Sequence, residues 1–536
     1  MNHSIVLTST NSPLQVGHIS AGRHLGAVGF TLCPGKWQTR SVSGQWQRDM
    51  TTDIDALKDW GAAAVVSLML MSELADCKAG GIGAACEARG IEWYHLPIVD
   101  VSVPDDAFET AWVYAGLRLR AHLRAGRNVL VHCRGGLGRS GTIVGRLLVE
   151  LGWTPVEAVS MVRVQRRGAI ETTQQECHVL QIRTISAETD QHTDRVLGCI
   201  LGGAVGDGFG YAVEFDRLNA IHRKHGPHGL RQPVFQGGKL VVSDDTQMAL
   251  FTLEALNVML SGTSASSRLA DESSLGVFAA AAQRAYLRWG ATQGVTSPNS
   301  LKDDDAAQLY RRSALRHRRA PGNTCLSAVR SGAQGTTLVP VNDSKGCGAV
   351  MRTAPIGLIE RMDPATAMAW GDAAGALTHG HIDGWLPGGA LSAIIRLIMQ
   401  GEDIAAAAHQ ALTLLTQHPH PDSKSVQQSG TVRLLLIALL LLEGDCAAPE
   451  VFARLGEGWV GDEALAIGVY AAGAAASFED AVRFAANHDG DSDSTASIAG
   501  QLYGVRHGVL CIPHAWVRRV DVLAEALEVS QVVLTL

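Results

Sequence analysis

Val131-His132-Cys133-Arg134-Gly135-Gly136-Leu137-Gly138-Arg139-Ser140-Gly141 reads as the end of a buried strand, a glycine-rich loop and the start of a helix. The strand is the apolar run 129–132, and helical spacing follows over 140–151. Upstream, residues 63–70 (AAVVSLML) form a second short apolar run with β-branched residues, again a buried strand. Downstream, a further helix announces its start: Thr154 as N-cap, Pro155 at the first helical position, Glu157 completing a capping box. Strands alternating with helices predict an α/β domain with a mostly parallel central sheet.

The central loop carries chemistry. A cysteine, five intervening residues and an arginine at a helix start suit attack on a phosphate monoester. Backbone N–H groups of Arg134, Gly135, Gly136, Leu137 and Gly138 can turn inward around phosphate oxygens. The helix N-terminus adds partial positive charge, which also favours the thiolate of Cys133. Arg139 can grip two equatorial oxygens, Ser140 can hydrogen-bond the departing thiolate, and His132 orders the loop. The leaving oxygen needs a proton. Asp100, which follows the run His95-Leu96-Pro97-Ile98-Val99, is the first candidate acid, and Asp105 is the second.

With Tyr94 to Asp105, and with Arg167-Gly168-Ala169-Ile170-Glu171-Thr172 and Gln175, the loop resembles the cysteine-dependent tyrosine and dual-specificity phosphatases. These segments are similar to the cyclin-dependent-kinase-associated branch. The resemblance implies a phosphorylated substrate, Asp100 as general acid, a phosphocysteine at Cys133, its hydrolysis by water, and no cofactor.

Residues 186–193 (SAETDQHT) are polar and separate this pattern from a different one. The expected domains are 1–187 and 188–536. The second part shows helical spacing over 248–260, 365–377, 388–399 and 432–442, with starts at Asp363-Pro364 and Ser477. It reads as all-α, without internal repeats. Its Ala-rich stretch 464–476 reads as core.

Two acidic clusters stand before helices here: Ser243-Asp244-Asp245-Thr246 and Asp489-Gly490-Asp491-Ser492-Asp493-Ser494. Capping is one reading, because Ser and Asp favour helix starts. The other is a site for hard divalent cations, which seek such oxygen donors. Two clusters distant in sequence can converge on one pair of metals. An EF-hand register is absent. The segment Leu197 to Asp207, Glu214, and the loop Gly346-Cys347-Gly348-Ala349-Val350-Met351-Arg352 complete the pattern.

Together these motifs resemble the ADP-ribosylglycohydrolases, over nearly all of residues 195–510. The resemblance implies two Mg²⁺ ions held by Ser243, Asp244, Asp245, Asp491, Asp493 and Ser494. It implies Glu214 as an acid or base, and Asp207, Gly346, Cys347, Gly348 and Met351 as substrate-binding. The substrate implied is an ADP-ribosylated protein or a small ADP-ribosyl compound. Cleavage of an N-glycosidic or an O-glycosidic bond is equally open. The arginine run Arg311, Arg312, Arg316, Arg318 and Arg319 reads first as a solvated helix face, and His379 and His381 as packing or ligand groups.

Composition bounds the rest. The 536 residues, at about 100–200 per domain, allow two to four domains. With 46% hydrophobic and 18% charged residues the chain is not of the disordered class. Net charge −7 disfavours a nucleic-acid binder. Ten scattered cysteines without a CxxC pair fit a reducing compartment rather than zinc or disulfides. The start Met1-Asn2-His3-Ser4 lacks a leader pattern, and the longest apolar run, 434–442, is too short to span a bilayer. The expectation is a cytoplasmic bifunctional hydrolase with no membrane partner. Two alternatives stay open: one active hydrolase with a regulatory or substrate-binding second domain, and processing of ADP-ribosylated or phosphorylated nucleic acid.

Overall fold

The computed structural model describes residues 6–39, 44–260, 274–297, 308–444 and 446–534. Residues Met1 to Ser4, on which the reading of the chain start rests, lie outside the described residues. The chain divides into two compact units, Met1–Asp190 and Gln191–Leu536. The polar stretch 186–193 is not a loop. It begins the helix Ala187–Gly210, and the division falls within that helix.

The first unit is built on a five-stranded sheet in the order Gly17–Ser20, Ala27–Thr31, Asn128–His132, Ala62–Ser67, Glu92–His95. The last four are parallel, and Gly17–Ser20 is an antiparallel edge. Val28, Phe30, Val65, Val66, Val129 and Val131 are fully buried, as parallel strands covered on both faces require. The strand expected over 63–70 stops at Ser67, and the chain then turns into the helix Met71–Asp76. The helix Asp106–Arg124 has no clean apolar stripe because it buries Arg118, Arg120 and His122. Arg120 is paired there with Glu150 and Asp190, at 2.6 Å each. A second small sheet joins Val6–Leu7, Gln45–Gln47 and Trp37–Gln38.

The second unit is helical, and among its described residues only isolated β-bridges occur. Expected starts are realised by side-chain caps: Asp363 accepts from Ala365 N and Thr366 N, and Ser477 from Asp480 N. The helix expected over 388–399 begins earlier, as Ile382–Met399, and carries Pro387 in its interior. That helix is long and apolar enough to cross a membrane, but 94% of it is buried inside the protein, where its apolarity is used in the core. The run 434–442, read as buried, leaves Leu436 and Leu440 exposed.

A glycine stripe fixes the centre of this unit. Gly198, Gly202, Gly206 and Gly210 recur every four residues, one face of the helix Ala187–Gly210. A Cβ on them would lie 2.0–2.3 Å from the carbonyl oxygens of Gly504, Gly500, Ala496 and Ser492. The backbone therefore touches the helix Ser492–His507 directly. That contact sets the end of one helix beside the first turn of the other, where Asp491 and Asp493 lie.

Candidate active sites

Thr31, His132, Ser67 and His95 stand in register across the sheet, at or near the carboxyl ends of the four parallel strands. Ligands bind outside this edge in open α/β sheets. Cys133 follows its strand directly, and its Sγ accepts the Gly136 N–H at 3.2 Å. Gly136 has φ +72°, and a Cβ there would sit 2.4 Å from the Thr31 carbonyl, so glycine alone lets the loop close on the strand. Leu137 precedes the helix Gly138–Glu150, which starts two residues earlier than expected and places Arg139 in its first turn. The Gly135 carbonyl accepts from Arg166 Nη2 at 2.9 Å.

Arg139 is buried. Its Nη1 and Nη2 donate to the two Glu73 oxygens at 2.7 and 2.9 Å, and Nη1 also donates to the Ile98 carbonyl at 3.0 Å. Asp100, exposed, lies 2.9 Å from Arg139 Nη2. Arg139 Nε and Ser140 Oγ are buried without a hydrogen-bond partner. Asp105 is occupied as the N-cap of Asp106–Arg124, accepting from Phe108 N at 2.9 Å. His132 meets Ser67 Oγ at 2.6 Å, and that hydroxyl accepts from Trp93 Nε1 at 2.8 Å. Burial pushes His132 down to about 3, so it stays neutral. Arg134 is half-buried and bonds the Cys77 thiol, while its carbonyl takes Lys36 Nζ at 3.4 Å.

Sequence reading missed Glu73, Ser67 and Trp93. Glu73 bonds Leu70 N at 2.9 Å, so in sequence it is indistinguishable from an ordinary helix-start acid. Gln175, noted only within the resemblance, is buried against Gly138 and donates to the Ser102 carbonyl at 3.2 Å. It thereby ties the Asp100 loop to the helix.

In the second unit, Asp244, Asp245, Asp491, Asp493, Ser494 and Glu214 line one cavity of about 720 Å³. The capping and cavity readings describe the same residues. Asp244 and Asp245 form the first turn of Asp244–Leu260, and Asp491 is the N-cap of Ser492–His507. Asp207 and Ser243 stand behind that turn. Asp207 is fully buried, not at a surface substrate can reach; its oxygens accept from Ser243 N at 2.9 Å, Thr246 N at 3.0 Å and the Thr246 hydroxyl. Ser243 Oγ accepts from Asp245 N at 3.2 Å.

The front carboxylates repel one another. Burial, then its carboxylate neighbours, push Glu214 up to about 9. Burial raises Asp244 to about 8, with Asp207 and Asp491 adding to it. Asp245 and Asp493 lie well above the usual carboxylate range for the same two causes. Among the described residues none of Asp207, Glu214, Asp244, Asp245, Asp491 and Asp493 is in an ion pair. Asp245 Oδ2 and Glu214 Oε2 are buried without a partner. Among the described residues no three His, Cys, Asp or Glu side chains close on a single point, so the donors surround an open cavity. Hard oxygen donors, uncompensated charge and unpartnered oxygens fit a divalent cation in kind.

Gly346, Cys347, Gly348 and Met351 line the same cavity. The turn Cys347–Arg352 is held by Arg352, fully buried, which donates to the Gly348 carbonyl at 2.8 Å and lies over the Tyr286 ring. His379 also lines the cavity, while His381 is the N-cap of Ile382–Met399. The arginine run is not a helix face: Arg311 ends the short 3₁₀ turn Leu309–Arg311, and the other four lie outside regular elements, where Arg312 pairs with Glu528, Arg319 with Asp521, and Arg318 lines the cavity. Two further lining residues, Phe215 and Trp459, are exposed aromatics that nothing in their local sequence marks.

Residues 188–534, more than half of the chain, match the family model described as ADP-ribosylglycohydrolase. The chain belongs to this ADP-ribosylglycohydrolase family. Residues 41–196 match a model described as Swiss Army Knife protein, DSP-PTPase phosphatase domain. The N-terminal domain of this glycohydrolase is thus of the cysteine-dependent tyrosine/dual-specificity phosphatase type. The chain is similar to the ADP-ribosyl-[dinitrogen reductase] glycohydrolase of Rhodospirillum rubrum, 24% identical over 345 residues, 62% of this chain and 92% of that one. It is also similar to cyclin-dependent kinase inhibitor 3 of Homo sapiens, 30% identical over 173 residues, 32% of this chain and 76% of that one. Protein tyrosine phosphatase type IVA 3 of Mus musculus is 30% identical over 125 residues, 23% of this chain and 67% of that one. The chain spans between 52% and 76% of the length of the phosphatase relatives it matches. Both domains belong to hydrolase families.

Proposed function

We propose that the chain is a bifunctional hydrolase with two working sites. One is a Mg²⁺-dependent glycohydrolase that releases ADP-ribose from a modified protein or a related ADP-ribosyl substrate. The other hydrolyses phosphomonoesters through Cys133. The observation that carries the first activity is the uncompensated carboxylate cavity with aromatic side chains in its lining.

Asp244, Asp245, Asp491 and Asp493, with the Ser494 hydroxyl and with Ser243 behind them, would hold the magnesium. When bound, two such ions orient ribose hydroxyls and raise the acidity of water. Phe215 and Trp459 offer flat apolar faces to an adenine. The loop 346–348 offers close backbone approach to a pyrophosphate. Glu214, with its free oxygen, relays the proton given up by the attacking water to the departing group. Water supplies hydroxide to that carbon, the bond to the modified group breaks, and the leaving group gains the proton.

In the phosphatase site, Cys133 Sγ attacks phosphorus and displaces the alkoxide or phenoxide. Arg139 Nε, together with the inward N–H groups, takes phosphate oxygens. Asp100 then exchanges its Arg139 contact for the leaving oxygen and protonates it. Water next attacks the phosphocysteine, passing its proton to Asp100 and returning the thiolate. Ser140 Oγ, which is buried without a partner, hydrogen-bonds that returning charge.

Paired assays on one preparation test both readings. Phosphate release from p-nitrophenyl phosphate should vanish in Cys133→Ser and persist in chelator. ADP-ribose release from an ADP-ribosylated protein should vanish in Asp491→Ala and in chelator. A wild type with only one activity contradicts the proposal.

A further inference from the structure

Cys347 places sulfur inside the carboxylate cavity. Its S–H is donated to Asp491 Oδ2 at 2.7 Å, and the Ser494 hydroxyl bonds both this thiol and Asp245. The backbone holds the sulfur there. Cys347 N donates to the Trp459 carbonyl at 3.3 Å, Gly346 bridges to Val460, and Gly461 N donates to the Lys345 carbonyl at 2.9 Å. On the same cavity wall, Asp245 is 3% exposed and its Oδ2 has no partner. A soft donor thus stands within hydrogen-bond reach of an otherwise all-oxygen donor set. Mg²⁺ has little use for sulfur, whereas thiophilic divalent cations select it.

We infer that Cys347 turns this cavity into a mixed sulfur–oxygen site, which takes a thiophilic divalent cation such as Zn²⁺ or Cd²⁺ through Cys347 and Asp491, in competition with Mg²⁺. The inference rests on reading the carboxylates as a cation site. The chemistry is an exchange of a proton for a metal. The S–H bond breaks, its proton leaves to solvent, and the sulfur electron pair forms the metal bond without any oxidant. The neighbouring thiol of Cys325 is not equivalent. It faces the Gly348 carbonyl at 3.7 Å and the Arg352 guanidinium at 3.5 Å, a cationic neighbour that opposes a metal.

The test uses the full chain, stripped by chelator and titrated with Cd²⁺ while sulfur-to-cadmium charge-transfer absorption is followed. The difference spectrum against Cys347→Ser removes the background of the other nine cysteines. A band saturating at one equivalent, absent in Cys347→Ser, kept in Cys325→Ser and suppressed by excess Mg²⁺, is expected. Cd²⁺ affinity should fall by more than the roughly 10- to 100-fold that loss of an outer-shell partner alone costs, because the sulfur itself is gone. Cys347→Ala, read the same way and checked by circular dichroism, covers a folding defect in the serine variant. A band unchanged in both variants overturns the sulfur assignment. Mn²⁺ binding, followed by electron paramagnetic resonance in Asp245→Asn and Asp491→Asn, tests the underlying reading separately: undiminished binding overturns the cation site itself.

Discussion

Arg139 in the first unit and Asp245 in the second are both almost fully withdrawn from water, yet their surroundings are opposite. Arg139 is compensated by the protein: Glu73 takes both of its Nη atoms, and Asp100 adds a third oxygen. Asp245 has no counter-charge among the described residues, and the nearest charges are further carboxylates. A buried charge without a partner is expensive, and proteins retain one chiefly where a ligand supplies the missing half. The phosphatase site is therefore complete in its own side chains and needs only the substrate anion. The carboxylate cavity of the second unit has no such counter-charge among the described residues, and the proposed cation would supply it.

The largest effects should separate the two sites cleanly. Cys133→Ser removes the nucleophile and should lower phosphate release by ~10⁴-fold or more, with ADP-ribose release retained. Glu73→Ala leaves the Arg139 guanidinium buried beside Asp100 alone. Chemical denaturation of the first unit should show a loss of about 3 kcal/mol, and phosphatase kcat should fall with it. If Glu73→Ala is neutral in both readouts, the compensation attributed to this pair is absent.

Neutralising a carboxylate on the other side should have the reverse sign. Asp245→Asn should abolish ADP-ribose release but stabilise the chelated protein by about 1 kcal/mol at alkaline pH, where the carboxylates lose the protons that relieve their repulsion. A destabilised Asp245→Asn in chelator would break the contrast. The same crowding predicts a pH slope. Asp244 and Glu214, raised to about 8 and about 9, keep protons that an unfolded carboxylate releases near pH 4. The folded state then binds more protons than the unfolded one between about pH 4 and 9, so stability falls as pH rises through that window. Thermal melts in chelator should show this fall in the second unit, and saturating Mg²⁺ should flatten it.

A further effect concerns the scaffold. Gly202→Ala pushes a Cβ to 2.3 Å from the Gly500 carbonyl and should cost about 1–3 kcal/mol by forcing two helices apart. ADP-ribose release should fall with it, since the same contact sets Asp207 beside the Asp491 turn.

Much of this was legible in the sequence because order along the chain carries it. Strand, Cys133, glycines, Arg139 and helix follow one another, and each acidic cluster immediately precedes its helix. What stayed hidden depends on contacts between distant segments. Glu73 resembles a cap until Arg139 is brought to it across the sheet edge. Asp207 appears chemical in sequence, but folding buries it under Ser243 and Thr246. The glycines at 198, 202, 206 and 210 give no local sign of their role, because the atoms they make room for are another helix's carbonyls. Phe215 and Trp459 carry no local signal at all, because only the folded cavity brings them to one site.

One site thus lacks a counter-charge among its described residues, and the other does not. Calorimetric titration of the chelated full chain with Mg²⁺ tests it most directly. Saturable binding of two ions is expected, unchanged in Cys133→Ser and Glu73→Gln and lost in Asp245→Asn and Asp493→Asn. Absence of saturable binding in the wild type, or binding that survives in both carboxylate variants, would contradict it.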